Sequence, residues 1–330
     1  MRLIFWGTSR FAIPGLIKIY NSTHKIETVV TQPDRRSGRG LKYRYNPVKE
    51  EANRLGLKIE QPEDILCESS TEGQAKLSDK RTFALLRSIE ADIFVVISYG
   101  KILSRDVLAI PKLYSINLHG SLLPKYRGAA PINWAIINGE DKTGVTVIKM
   151  TEKVDAGDIL SSREVDIGVN DTAGNLEDVL SNVGAELLLD TINLIDRGEV
   201  VFTPQNESKV SYAPKLKKSD GLINWKMSAY QIHDRVRGMV PWPGAFTYIE
   251  EDGIKKLLKV WQTSIVLDSE GTSGFETGAI TKVSKDGIMV QTGDGKLLLE
   301  ELQVEGGRRI PARQFVIGHR IDTGTILGEE

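Results

Sequence analysis

The chain has 330 residues, 40% of them hydrophobic and 26% charged, which is the composition of a soluble globular protein of about two domains. No apolar run approaches the roughly 20 residues needed to cross a bilayer, the residues after Met1 read as a short apolar strand rather than the long apolar core expected of a signal peptide, and the single cysteine, Cys67, excludes an intrachain disulfide or a cysteine metal cluster. With 43 basic against 44 acidic side chains, net charge argues nothing for nucleic acid, so local clusters must carry any such case.

Arg2–Trp6 reads as a short apolar strand, and Gly7-Thr-Ser-Arg10 turns the chain into a helix with Pro14 near its first turn. Only Gly7 and Gly15 stand there, so the GxGxxG fingerprint of dinucleotide binding is absent. A strand closed by a glycine turn still points to a doubly wound fold. Ile26–Thr31 reads as the second strand. The loop after it, Gln32–Arg44, holds two glycines and gathers Arg35, Arg36, Arg39, Lys42 and Arg44 around a tyrosine. Such a run is most often solvated surface; it is also what a loop contacting RNA phosphates needs.

Asn46 is placed to cap a helix that opens at Pro47 and runs to Leu55, and Leu57–Gln61 reads as a short strand. Residues 67–80 are polar and aperiodic and read as a loose insertion. After a helix through about Glu90, the unbroken apolar run Ala91–Ile97 predicts a buried parallel strand. Ser98–Leu103 sits at its C-terminal end, where open sheets place ligand loops.

Leu113–Leu118 predicts another strand, which spills into a loop rich in Gly and Pro ending at Gly128. Asn117 and His119 are two residues apart and so face the same side of an extended chain. An amide can hold an oxyanion, and an imidazole can shuttle a proton near neutral pH. A hydrogen-bonded loop histidine beside a turn-forming Asn explains the spacing equally well. A helix is expected from about Ala130 to Ile137 and a strand over Gly144–Met150, entering Thr151–Ile159, where Asp155 and Asp158 flank Gly157. Turn chemistry accounts for that pair; the functional alternative is that one carboxylate approaches His119 and sets its tautomer and basicity.

Leu176, Val179, Leu180, Val183, Leu187 and Leu188 keep helical spacing through Asp171–Arg197 and close a first domain, 1–198. Residues 199–217 change texture: Pro204, Pro214, Lys209, Lys215 and Lys217, with Lys218 next, make an extended linker with a basic face. In the remaining domain, 218–330, Tyr230–Met239 reads as a short helix. From Phe246 onward β-branched and polar residues alternate between Gly/Asp turns, the pattern of a small β-barrel.

Asn117-Leu-His119 with Ser121-Leu-Leu-Pro124 and Tyr126-Arg-Gly128, followed by Val154-Asp-Ala-Gly157, resembles the folate-dependent formyltransferase superfamily. Gly7-Thr8 with Phe11-Ala12, Gln32-Pro-Asp-Arg35, Gly38-Arg-Gly40, Tyr212-Ala-Pro-Lys215 and Pro241-Trp-Pro-Gly244 narrow the resemblance to its tRNA-acting branch, as does the segment from Glu301-Leu-Gln303 to Gly328. It covers nearly the whole chain. The departures are the polar insertion, Gly120 where many relatives carry Ala, and Ser9-Arg10 in place of a commoner Pro-Asp.

The resemblance implies an α/β chain: a Rossmann-like N-terminal formyltransferase domain followed by a C-terminal OB-like β-barrel. It implies a cytoplasmic monomer that moves the formyl group of 10-formyltetrahydrofolate to the α-amine of methionine on initiator tRNA, with no metal and no membrane. Carried over position by position, it makes Asn117, His119 and Asp155 the catalytic set. It lines the folate site with Ser121, Leu122, Leu123 and Pro124, with the Ser98–Leu103 loop nearby. It sends the loop around Arg39, with Arg35, Arg36 and Lys42, into the acceptor arm, and lays Lys215, Lys217 and Lys218 along the arm's phosphates. A formyltransferase for an amino sugar on a nucleotide would share the three catalytic residues but have little use for the Arg39 loop. A hydrolase of the formyl folate would use water as the nucleophile, and a non-catalytic RNA-binding protein would not need the intact set.

Overall fold

The computed structural model describes residues 1–37, 42–63, 77–251, 253–266, 274–319 and 321–328. Arg39 and residues 67–76 of the expected insertion lie outside them. The chain forms two compact units, each built from separated stretches: Met1–Pro131, Thr143–Asp166 and Glu177–Ala213 make the first, and Ile132–Lys142, Ile167–Leu176 and Pro214–Glu330 the second.

β1 (Arg2–Gly7) leads through a 3₁₀ turn into α1 (Ile13–Tyr20), with Pro14 at the head of the helix, where its missing N–H is no loss. β2 (Lys25–Val30) is followed by a two-stranded ribbon, β3 (Arg35–Ser37) with β4 (Lys42–Arg44). Asn46 caps α2 (Pro47–Arg54), its side-chain oxygen accepting from the Lys49 N–H at 3.0 Å. Then come β5 (Ile59–Glu60), α3 (Leu77–Ser88), β6 (Ile93–Ile97), α4 (Arg105–Leu108) and β7 (Tyr114–His119). β8 (Arg127–Gly128), α5 (Pro131–Ile137), β9 (Lys142–Lys149), β10 (Ile159–Asp166) and α6 (Ala173–Asp196) follow. Two details depart from expectation. α3 already begins at Leu77, inside the stretch read as loose. β10 has no counterpart in the sequence pattern, because it is an edge strand on which only Leu160 is buried, so no alternation marks it.

The first unit is a seven-stranded sheet in the order β10-β9-β7-β6-β1-β2-β5. β1 pairs in parallel with β2 and β6, β6 with β7, and β2 with β5, while β9 runs antiparallel to β7. Every residue of β6 is buried, as a strand covered on both faces must be. Trp6 anchors one side of the core, its ring 5.4 Å from Phe94 and 5.2 Å, edge-on, from Tyr99. The chain steps outward from β1 to β2 and β5, then returns to β6 on the other side of β1. That reversal is where open α/β sheets take ligands, at the C-terminal strand ends. Two residues of the late segment, β11 (Tyr212–Ala213), pair in parallel with β8, and Thr203 pairs with Ile159, so part of the segment read as a linker packs on this unit.

In the second unit, α7 (Ala229–Gly238) opens with a reciprocal cap between Ser228 and Gln231. β12 (Ala245–Glu251), β13 (Ile254–Val266), β14 (Ile280–Ser284), β15 (Gly287–Gln291) and β16 (Lys296–Val304) form an antiparallel sheet in the order β12-β13-β16-β15-β14. β17 (Ile310–Pro311) pairs with β16, and α8 (Ala312–Gly318), which the sequence pattern does not predict, packs over β15 and β16 with Phe315 buried. The sheet closes through the chain's last residues. Ile280 N–H donates to Thr325 at 2.8 Å on one edge, and Tyr248 N–H to Gly328 at 3.0 Å on the other. One short segment thus pairs both edge strands and removes the open edges of the barrel.

Candidate active site

The loops at the C-terminal ends of β1, β2 and β6 are tied together. Thr8 Oγ1 donates to the Tyr99 carbonyl at 3.0 Å, and Gln32 Nε2 donates to the same oxygen at 2.7 Å. Beside them lies a cavity of about 90 Å³. Its apolar walls are Ile102, Leu103, Ile148, Met150 and Val154, and Asn117, Asp155, Lys101 and Glu152 add polar groups. An apolar slot with a few convergent polar side chains is the usual form of a small-molecule site.

β7 delivers Asn117 and His119. Its register sets Asn117 opposite Val96 of β6 and Ile148 of β9, and His119 opposite Thr146. Asn117 is half-buried, lines the cavity, and makes no side-chain hydrogen bond among the described residues. His119 is only 6% exposed. Its Nε2 lies 2.9 Å from the Tyr126 carbonyl oxygen. A carbonyl only accepts, so Nε2 carries the proton and Nδ1 faces Asp155 Oδ2 at 3.5 Å.

Asp155 Oδ2 also accepts from the Gly128 N–H at 2.9 Å. The carboxylate therefore sits between a main-chain donor and an imidazole. Its backbone has φ of 52°, a left-handed conformation that Asp tolerates better than most residues. Gly157 makes this turn possible: a Cβ there would lie 1.7 Å from the Lys149 carbonyl oxygen. Asp158 continues the ladder, its carbonyl accepting from Lys149 N–H at 2.9 Å, and its carboxylate forms no ion pair with His119. Of the two candidates, the structure brings Asp155 to the histidine.

Ser121–Pro124, the expected folate lining, form a braced loop beyond the Asn117–His119 strand end. Ser121 is fully buried and donates to the Lys125 carbonyl at 2.6 Å. Thr146 Oγ1 donates to the Ser121 carbonyl at 2.6 Å and accepts from Leu123 N–H at 3.2 Å. The segment is a braced loop beside His119, and none of Ser121, Leu122, Leu123 and Pro124 lines the cavity. The walls Ile148 and Met150 from β9 and its end carry no motif in the sequence, their apolar character being the available signal, whereas Val154 opens the Val154-Asp-Ala-Gly157 motif.

Among the basic candidates, Arg35, Arg36 and Lys42 belong to the β3–β4 ribbon. Lys215, Lys217 and Lys218 are exposed and form no ion pair among the described residues. On the barrel, the Trp261 ring has the Lys259 ammonium 5.3 Å and the Arg309 guanidinium 5.0 Å from its centroid. Among the described residues, no group of three or more His, Cys, Asp or Glu is placed to hold a metal ion, and no helix is long and apolar enough to cross a membrane.

The formyl transferase family matches residues 1–192, and the formyl transferase C-terminal domain matches residues 215–320. A methionyl-tRNA formyltransferase of Clostridioides difficile is 44% identical over 99% of this chain and 100% of its own length. Another, of Acetivibrio thermocellus, is 43% identical over 100% of both chains. Among solved structures, an N-formyltransferase from Helicobacter canadensis in complex with folinic acid and dTDP-3-aminofucose aligns with a TM-score of 0.62 at 20% identity, over 90% of this chain and 98% of that one. HypX from Aquifex aeolicus in complex with tetrahydrofolic acid aligns with a TM-score of 0.58 at 17% identity, over 98% of this chain and 50% of that one. At such identities the likeness is one of fold.

Proposed function

The chain belongs to the methionyl-tRNA formyltransferase family, and from that premise we propose that it transfers the formyl group of 10-formyltetrahydrofolate to the α-amine of methionyl initiator tRNA. The observation that carries the proposal is the pairing of His119 with Asp155 beside an amide, Asn117, left free on the wall of the cavity. The cavity between the Ser98–Leu103 loop and the Asp155 loop has the apolar walls that suit the folate's flat ring.

The neutral amine forms a bond to the formyl carbon, and negative charge develops on the formyl oxygen. Asn117 donates its amide N–H to that oxygen, and losing one such donor typically costs about 3–4 kcal/mol in the barrier. His119 holds its Nε2 proton on Tyr126, so Nδ1, beside the Asp155 carboxylate, is the nitrogen that takes up the proton the amine must lose. Asp155 then steadies the imidazolium. As the bond from carbon to the folate nitrogen N10 breaks, His119 returns the proton to that nitrogen, leaving tetrahydrofolate and an amide. No net charge is created, and the residues end as they began.

The acceptor arm of the tRNA is assigned to the loop around Arg39 with Arg35, Arg36 and Lys42, and to Lys215, Lys217 and Lys218. Unpaired exposed lysines are free to neutralise phosphates, and the cation-flanked Trp261 face of the barrel is of the kind that suits RNA. The protein acts as a cytoplasmic monomer. The direct test mixes purified protein, 10-formyltetrahydrofolate and charged Met-tRNA and looks for formyl-methionine. Its formation is expected; no transfer would overturn the reading.

A further inference from the structure

Residues 203–213 return to the first unit and reach the catalytic loop from behind. Gln205 makes the connection. Its Nε2 donates to the Asp155 carbonyl at 2.8 Å and to the Gly157 carbonyl at 2.7 Å, so both hydrogens of one amide clamp the two ends of the Asp155–Gly157 turn. Its Oε1 accepts from Arg127, from Nε at 3.1 Å and Nη2 at 2.8 Å. Arg127 is itself 6% exposed and held on its far side by Glu207, at 2.8 and 3.3 Å. That hydrogen bond keeps the Glu207 carboxyl below the ordinary carboxylate range. The residue after Arg127 is Gly128, whose N–H holds the Asp155 carboxylate.

We infer that Gln205, oriented by Arg127, is a positioning residue for catalysis: it sets the main chain of the Asp155 turn so that the carboxylate meets His119 Nδ1. The inference rests on the reading of Asp155 as part of the catalytic set. The physical case is one of direction. Asp155 holds a left-handed backbone, and Gly157 is pressed against Lys149, so the turn is stable only while its carbonyls have donors. Gln205 supplies those donors to two carbonyls at once, and Arg127 fixes which end of the amide faces the turn. A carboxylate held 3.5 Å from its imidazole has little tolerance, and a misplacement of about 1 Å can cost about a hundredfold in rate.

Gln205→Glu and Gln205→Met are the test, because both keep the side chain's length and neither can donate to the turn. Glu207→Gln is the control: it leaves the Gln205 clamp in place. For each, kcat, the KM for 10-formyltetrahydrofolate, the KM for Met-tRNA and the thermal midpoint are measured. Both Gln205 variants are expected to lose at least about tenfold in kcat with each KM within about threefold of wild type, while Glu207→Gln keeps wild-type kcat. Wild-type kcat in the Gln205 variants, whatever their thermal midpoints, overturns the inference, since a purely structural brace moves stability alone. A fall in kcat for Glu207→Gln equal to that of the Gln205 variants overturns it as well. Failure of the wild type to form formyl-methionine would instead sink the functional reading beneath it.

Discussion

His119 has one nitrogen committed to the main chain and the other facing a carboxylate, while Asn117 two residues earlier is uncommitted. This division of labour sets what each substitution should do. His119→Ala and Asn117→Ala are expected to fold and to lose at least about a hundredfold in kcat, with folate affinity largely kept, as steady-state kinetics and a folate-binding titration would show. Turnover near wild type in either variant would remove it from the reacting centre. Asp155→Asn should lose activity to a similar degree, because the amide keeps the shape but no longer offsets an imidazolium. Asp158→Asn should stay close to wild type; if it is the more damaging of the two, the assignment of carboxylates is wrong. The pair was legible in the sequence through the motif from Asn117 to Gly128, since its spacing alone fits a hydrogen-bonded loop histidine equally well. Spacing alone left Asp155 and Asp158 open and only the Val154-Asp-Ala-Gly157 motif favoured Asp155; that its backbone turns left-handed to reach His119 was not visible, because it depends on packing against Lys149 and Gly128.

At the scale of the elements, the turn after β9 is the sensitive one. Gly157→Ala would drive a methyl into the Lys149 carbonyl, and the strand cannot yield without dragging its pairing with β7. The expected result is a loss of several kcal/mol in chemical denaturation or a displaced turn with activity abolished. Wild-type stability and rate together would refute the tight approach. Asn46→Ala removes the cap of α2 together with the side chain's bonds to Thr31 Oγ1 and the Gln32 carbonyl, so in chemical denaturation it should cost more than the ~1 kcal/mol usual for a cap alone. α2 and its cap were visible in the sequence because capping is decided within four residues. β10 was not, because an edge strand with one buried side chain carries no period, and α8 was hidden among the turn residues of the chain's end.

For the whole molecule, the question is how a large polyanion is held. If Lys215, Lys217 and Lys218 meet phosphates, replacing them with Ala should weaken Met-tRNA binding. The plot of log affinity against log salt should flatten by about 0.7–0.9 for each phosphate no longer neutralised. Arg39→Ala should depress kcat/KM for Met-tRNA at low salt and leave folate affinity alone. Agreement with wild type at every salt concentration would mark these groups as solvated surface.

Length, composition and periodicity by themselves determined that the chain carries a parallel sheet, a long amphipathic helix and a small β-barrel, and the motif around Asn117 and His119 determined the class of chemistry. Those features are local: apolar repeats, caps and turns are set by neighbours a few residues away. Only the tertiary structure decided how the Asp155 carboxylate reaches His119, that Thr146 braces the Ser121–Pro124 loop, that Gln205 reaches the catalytic turn, and that residues 324–328 close the barrel. Each of these joins residues brought together by the packing of distant segments, and a hydrogen bond across 50 or 80 positions leaves no periodic mark on either side.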